Sequence, residues 1–134
     1  MRVILVDDSR AMRMILRRIV GQLGFEIMEA EDGQAALEAV QSSDPVPDLA
    51  LIDWNMPRMN GLELVSALRD DPRTRDMTLV MVTTEGEQSQ IVRALAAGAH
   101  EYVIKPFTSD SMVEKLALLG LVPNAAAGAA AGGS

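Results

Sequence analysis

The chain has 134 residues, of which 49% are hydrophobic and 23% are charged, and it contains no cysteine. This composition is typical of one globular domain in a reducing compartment, and it excludes disulfides and thiolate metal sites. The net charge of −7 argues against direct DNA binding, which usually needs a basic face. The sequence shows no signal peptide and no apolar run of the ~20 residues that cross a membrane, so a cytoplasmic protein without membrane contact is expected.

Five short apolar runs predict the strands of the domain. They are rich in Val, Ile and Leu with little polar alternation, which is the pattern of parallel strands covered on both faces. In chain order these runs are Val3–Val6, Phe25–Glu29, Leu49–Ile52, Leu79–Val82 and Tyr102–Ile104.

Helical patterns separate the strands and follow the last one. Ser9 is the expected N-cap of the first helix, Gly98 closes the fourth and Gly120 closes the fifth. The predicted helices are Arg10–Gln22, Gln34–Ser42, Leu62–Arg69, Glu87–Ala97 and Ser109–Leu119. Regular alternation of strand and helix predicts an α/β domain, a doubly wound parallel sheet with helices on both faces.

The C-terminal segment has a different composition. From Ala125 to Ser134 it contains only Ala, Gly and Ser, which cannot bury enough surface to offset the entropy of ordering. We therefore predict a folded domain over residues 1–120 and a flexible Ala/Gly-rich tail over 121–134, with an interrupted Ala-rich helix as the alternative for the tail.

Polar residues stand where four of the predicted strands end. Asp7-Asp8 follow the first strand, Asp53 the third, Thr83 the fourth and Lys105 the fifth. In open parallel sheets ligands bind beyond the carboxyl ends of the strands, so these groups are expected to meet at one edge.

The chemistry of this edge follows from its charges. Two carboxylates about 4 Å apart repel by roughly 4 kcal/mol at an effective dielectric constant of 20, so three of them raise their pKa values or recruit a cation. Oxygen ligands with room for water suit Mg²⁺. A metal, a carboxylate nucleophile, the Lys105 amine and the Thr83 hydroxyl together form the set that phosphoryl transfer to an aspartate requires.

Each residue taken alone has a simpler structural interpretation. In that interpretation the Asp pair is a helix N-cap, the Thr83 hydroxyl is bonded to the backbone, and Lys105 is a surface lysine. The single histidine, His100, is assigned to the surface. The combination at four separate strand ends favours a functional site.

Three segments of the sequence carry a resemblance to a known family. These segments are Asp53-Trp54-Asn55-Met56-Pro57 with its continuation to Leu64, Met81–Glu85, and Val103–Thr108. They resemble the receiver domains of bacterial response regulators, and among them the single-domain chemotaxis regulators. The similarity covers about Arg2 to Leu119, and it implies a flavodoxin-like fold with strand order 2-1-3-4-5.

The resemblance implies a role for each matching residue. Asp53 is the phosphoacceptor, and Asp7, Asp8, Asp53 and the backbone carbonyl of Asn55 hold Mg²⁺, with Asp8 the expected direct ligand.

On the phosphorylated protein, Thr83 and Lys105 bind the phosphoryl group, and Tyr102 turns inward as a switch. The implied function is a two-component response regulator, a phosphoacceptor switch rather than an enzyme, which assists only its own phosphorylation and dephosphorylation. A histidine kinase is the implied donor. The implied output partner, for example a flagellar motor switch, binds the face formed by the fourth helix, fifth strand and fifth helix of a monomer.

Two features depart from the chemotaxis regulators. Thr84 replaces a smaller alanine, and the last helix is short. Asn55 and Glu85, in contrast, match these regulators and imply a short-lived phosphoryl state.

Other functions stay open. The alternatives are a receiver cut from a longer regulator with an output domain, a phosphatase of the haloacid dehalogenase type, and a flavodoxin-like cofactor protein. The adjacent pair Asp7-Asp8 argues against the phosphatase, whose first strand carries Asp-x-Asp.

Overall fold

A computed structural model describes residues 1–121 of the chain. Strands and helices alternate throughout, as the sequence predicts. The strands are β1 (Arg2–Val6), β2 (Glu26–Ala30), β3 (Leu49–Ile52), β4 (Thr78–Thr83) and β5 (Glu101–Ile104). The helices are α1 (Arg10–Gln22), α2 (Gly33–Gln41), α3 (Gly61–Asp70), α4 (Gln88–Ala97) and α5 (Ser109–Leu118).

The strands form one parallel sheet in the order β2-β1-β3-β4-β5, which confirms the predicted fold. Alternate side chains of each strand enter two separate cores. Helices α2, α3 and α4 cover one face, where Ile4, Ile52 and Met81 are buried, and α1 and α5 cover the other, where Leu5 and Leu51 are buried. Within residues 1–121, no helix is long and apolar enough to cross a membrane.

The predicted boundaries differ from the observed ones at several ends, and β2 is the clearest case. The apolar run predicts a strand over Phe25–Glu29, but the strand begins one residue later, where Glu26 pairs with Arg2. Phe25 instead donates its backbone N–H to the carbonyl of Val20 and buries its ring beside α1. Phe25 therefore completes the end of α1 rather than starting the strand.

The predicted helix caps are confirmed at three positions. The Ser9 side chain accepts a hydrogen bond from the N–H of Met12, and Gly98 and Gly120 adopt φ values of 124° and 75° where α4 and α5 end. The fifth helix ends at Leu118, one residue before the predicted end at Leu119. Leu121 is buried and donates to the carbonyl of Leu116, whereas residues 122–134, the remainder of the predicted tail, lie outside the described residues.

Gly61 allows the chain to pass close to the end of β3. A Cβ atom at this position would lie 2.3 Å from the carbonyl oxygen of Asp53, which is far inside the contact distance. The N–H of Gly61 also donates to the carbonyl of Trp54 at 2.8 Å. The first residue of α3 thereby fixes the backbone at Asp53.

His100 is exposed, but it also has a structural role that the sequence did not indicate. Its Nδ1 accepts a hydrogen bond from the N–H of Leu79 at 3.2 Å and lies 2.9 Å from a guanidinium nitrogen of Arg69. Both contacts need an unprotonated Nδ1. Burial, and then the positive charge of Arg69, lower the pKa of His100 below 6.5.

We expect the free energy of unfolding to fall when the pH is lowered from about 7 to 5, because His100 binds a proton more readily in the unfolded chain. The stabilisation that neutral His100 provides is complete above its unfolded pKa and is lost as the pH falls through the lower folded pKa. Urea unfolding at several pH values measures this dependence. His100→Gln, which retains an acceptor, should be less sensitive to pH than the parent over this range, and an equal slope would contradict the assignment.

Candidate functional site

The sheet brings the predicted site residues to one edge. Asp7 follows β1, Asp53 follows β3, Thr83 ends β4 and Lys105 follows β5, and these four strands are consecutive neighbours in the sheet. Parallel strands end on the same side, so residues as far apart in sequence as Asp7 and Lys105 come into contact.

Three carboxylates form the centre of the site. One oxygen atom from each of Asp7, Asp8 and Asp53 lies within 4.8 Å of the others. Asp7 and Asp53 are buried, with exposed fractions of 1% and 8%, while Asp8 is exposed. Closely spaced hard oxygen donors open to solvent on one side fit Mg²⁺, which keeps several waters when it binds protein.

The two aspartates of the adjacent pair have different surroundings. Asp7 Oδ1 accepts the N–H of Ser9 at 2.8 Å, and Asp7 Oδ2 accepts Lys105 Nζ at 2.8 Å. The Asp8 carboxylate accepts no hydrogen bond from the other residues of the described chain, 1–121. Asp8 is therefore the freer of the two to bind a cation.

Lys105 also lies beside the third carboxylate. Its Nζ is 3.7 Å from Asp53 Oδ1, and the lysine side chain is only 12% exposed. Burial raises the pKa of Asp53 above its ordinary value, Lys105 opposes this rise, and the neighbouring charge of Asp7 adds to it. Asp53 is thus a carboxylate whose charge is unfavourable in the folded protein, and a cation at this edge relieves that cost.

Thr83 and Tyr102 lie beside this edge on β4 and β5. Thr83 is fully buried, and its Oγ1 accepts the N–H of Glu85 at 3.3 Å. Tyr102 is also buried and donates its hydroxyl proton to the carbonyl of Glu85 at 2.5 Å. Burial, followed by the charges of Glu85 and Asp53, raises the pKa of Tyr102. The predicted switch residue therefore has its ring in the interior in this structure.

Two further residues at the mouth of the site are joined by their side chains. Asn55 donates from its amide to a carboxylate oxygen of Glu85, which links the loop after β3 to the loop after β4. Thr84 lies between Thr83 and Glu85 and is exposed.

Sequence reasoning missed two arginines that hold the loops of the site. Arg13 of α1 donates from Nη1 to the backbone carbonyl of Asp7 at 2.6 Å and pairs with Glu29 on β2. Arg58 lies in the loop after Asp53 and pairs with Asp32. The available signal for Arg13 was its place on the second turn of α1, near the end of β1.

The chain is similar to a known family of proteins. The sequence profile described as "Response regulator receiver domain" matches residues 3–117. The chain is 42% identical to chemotaxis protein CheY1 of Helicobacter pylori, over 87% of this chain and 94% of that protein. It is 40% identical to chemotaxis protein CheY of Pseudomonas aeruginosa, over 87% and 93%.

Solved structures agree with the sequence matches. The chemotaxis response regulator CheY4 of Vibrio cholerae superposes with a TM-score of 0.79 at 31% identity, covering 86% of this chain and 94% of that chain. A CheY-like receiver domain from Methanospirillum hungatei superposes with a TM-score of 0.78 at 29% identity, covering 86% and 89%.

Proposed function

The chain belongs to the response regulator receiver domain family, and we propose that it accepts a phosphoryl group on Asp53 with the help of Lys105 and a Mg²⁺ ion. It is a response regulator of two-component chemotaxis signalling, a signalling switch rather than a classical enzyme. The observation that carries the proposal is the convergence of Asp7, Asp8, Asp53 and Lys105 at one edge of the sheet.

The transfer needs little covalent chemistry from the protein. An oxygen of the Asp53 carboxylate attacks phosphorus, the bond from phosphorus to the donor's imidazole nitrogen breaks, and that nitrogen keeps the electron pair. Lys105, within 3.7 Å of Asp53, neutralises charge on the incoming oxygens. Asp7, Asp8, Asp53 and the Asn55 carbonyl would hold Mg²⁺, which would supply further positive charge at the phosphoryl group.

A histidine kinase is the proposed donor, and a downstream chemotaxis protein is the proposed target. The named relatives are chemotaxis proteins, which supports this assignment. The proposed output face comprises α4, β5 and α5, where Val92, Leu95, Ile104 and Leu118 are exposed apolar residues. The bond between Asn55 and Glu85 keeps two polar side chains at the mouth of the site, which fits a phosphoryl group that water removes quickly.

Incubation with acetyl phosphate and Mg²⁺ tests the proposal directly. Intact-mass measurement should show one added phosphoryl group, and Trp54 fluorescence should change, because this buried ring directly follows Asp53. The mass change should disappear when Mg²⁺ is chelated. A chain that turns over a small phosphate ester repeatedly, without holding the phosphoryl group, would instead support the phosphatase alternative.

The proposed switch makes a prediction about Thr83. Thr83→Ala should still bind beryllofluoride at Asp53, but the amide chemical shifts of α4 and β5 should change much less than in the parent. The reason is that the hydroxyl, which in this structure accepts from Glu85, is the group that responds to the phosphoryl oxygen. Thr83→Ser retains the hydroxyl and serves as the matched control. Equal shift changes in the alanine variant would contradict the coupling.

A further inference from the structure

The backbone after Asp53 makes a strained turn at Arg58. Its φ is 65°, and among residues 1–121 no other non-glycine residue has a positive φ. The N–H of Met59 donates to the carbonyl of Pro57 at 2.7 Å, so Arg58 is the central residue of a γ-turn. A γ-turn with positive φ is rare and strained, and such strain persists only where surrounding contacts hold it.

The side chain of Arg58 makes contacts that can hold this turn. Nε donates to Asp32 Oδ2 at 3.0 Å, and Nη2 donates to Asp32 Oδ1 at 3.1 Å, which is the two-bond geometry that a guanidinium makes best. Asp32 itself is 4% exposed and caps α2 by accepting the N–H of Ala35 at 2.8 Å. The carboxylate is thus fixed before Arg58 reaches it.

Asp32 is suited to this role by its charge as well as its position. The hydrogen bond from Ala35, together with Arg58, holds the pKa of Asp32 below its ordinary value, although burial acts in the opposite direction. The partner of Arg58 therefore stays ionised in the neutral pH range.

A second contact locks the same turn onto the start of α2. The N–H of Gly33 donates to the carbonyl of Met59 at 3.1 Å. A Cβ atom on Gly33 would lie 2.4 Å from that carbonyl oxygen, so only glycine permits the approach. The turn at 57–59 is therefore held against α2 by one side-chain pair and one backbone bond.

The other end of the loop is held at the sheet. Gly61 donates to the carbonyl of Trp54 at 2.8 Å and passes directly over Asp53. Asn55 lies between these two fixed points. Its backbone orientation is consequently set by the Asp53–Gly61 contact on one side and by the turn at Arg58 on the other.

We propose that Arg58 is a positioning residue of the phosphoacceptor site, because its pair with Asp32 keeps the strained loop in the shape that presents Asn55 and Asp53 to Mg²⁺. Arg58 touches no reacting group and acts through the backbone. The inference rests on the proposed function in one respect, that Mg²⁺ binds at the carboxylates of this edge. It adds that α2, on the flank of the site, helps to set the affinity for the metal.

Arg58→Gly tests the side-chain pair with Asp32 separately from the backbone strain at residue 58. Glycine adopts the positive φ freely, so the variant loses the pair with Asp32 without added backbone strain. We expect Mg²⁺ to bind about tenfold more weakly, as is common when a residue that orients metal ligands is removed. Titration of the full chain with MgCl₂, followed by Trp54 fluorescence and calorimetry, measures the dissociation constant. Urea unfolding without Mg²⁺ measures stability in parallel and should change little.

Two further variants show whether Arg58 acts through Asp32. Asp32→Ser retains an N-cap for α2 but cannot accept two bonds from a guanidinium, and it should weaken Mg²⁺ binding to a similar degree. The double variant should bind no more weakly than the weaker single variant. Arg2→Ala, which removes an exposed pair with Glu26 at the opposite end of β1, is the matched control and should leave the dissociation constant unchanged.

The outcomes distinguish the positioning role of Arg58 from the proposed phosphoacceptor function. If the parent binds Mg²⁺ and Arg58→Gly binds it equally well, the positioning role is overturned and the proposed function stands. Additive losses in the double variant would overturn the action through Asp32. If the parent shows no Mg²⁺ binding by either method, the proposed function fails, and this inference fails with it.

Discussion

Asp53→Asn is expected to abolish phosphorylation completely, so that acetyl phosphate and Mg²⁺ add no mass to the chain. An amide oxygen is a poor nucleophile for phosphorus, and of the three clustered carboxylates in residues 1–121 only Asp7 and Asp8 then remain. Asp7 is already engaged by Lys105 and Ser9, which leaves it poorly placed to react. In Asp53→Asn, the Trp54 response to beryllofluoride should vanish together with the mass change. Asp8→Asn should weaken phosphorylation and the Trp54 response, but it leaves the acceptor Asp53 in place.

The same substitution should make the protein more stable at neutral pH, by an amount on the order of 1 kcal/mol, as is usual when a site residue that serves function alone is neutralised. Burial raises the pKa of Asp53, so the unfolded chain releases this proton at lower pH than the folded one. The folded state accordingly loses stability as the pH rises from about 4 through the raised pKa. The advantage of Asp53→Asn should shrink below that range. Urea unfolding across pH measures it, and a variant less stable than the parent at pH 7 would contradict this account.

Lys105→Met is expected to produce the largest loss of stability. Lys105 is nearly buried and lies 2.8 Å from Asp7 Oδ2, and the Asp7 side chain is only 2% exposed. Removing one partner of a buried pair leaves the other charge without compensation and typically costs about 3–5 kcal/mol. Phosphorylation by acetyl phosphate should also slow strongly, because the variant lacks the cation that we propose faces the phosphoryl oxygens.

Mg²⁺ should restore part of the stability that Lys105→Met loses, and it should bind this variant more tightly than the parent. Without the lysine, the three carboxylates repel each other more and attract a divalent cation more strongly. Lys115→Met is the matched control, since Lys115 pairs with Glu101 at 3.2 Å on the surface, where such bridges contribute about 0–1 kcal/mol. Weaker Mg²⁺ binding in Lys105→Met would show that the lysine orients the metal ligands rather than competing with the metal.

The fold and the membership of the site followed from local patterns in the sequence. Apolar runs of three to five residues mark the parallel strands, and a polar residue directly after such a run must lie at the carboxyl edge of the sheet. For this reason the sequence alone places Asp7, Asp53, Thr83 and Lys105 together. The strand order came from the resemblance to receiver domains, and the sheet confirms it.

Local patterns were enough to establish the alternation of strands and helices and the kinds of group at the edge. The contacts that these and other polar groups make became visible in three dimensions: Lys105 pairs more closely with Asp7 than with Asp53, Tyr102 lies inward, and Arg58 reaches Asp32, 26 positions away in the chain. Strand ends can be predicted because they follow from the short-range pattern of burial. The partner of a long charged side chain instead depends on how distant loops pack, which no local pattern encodes.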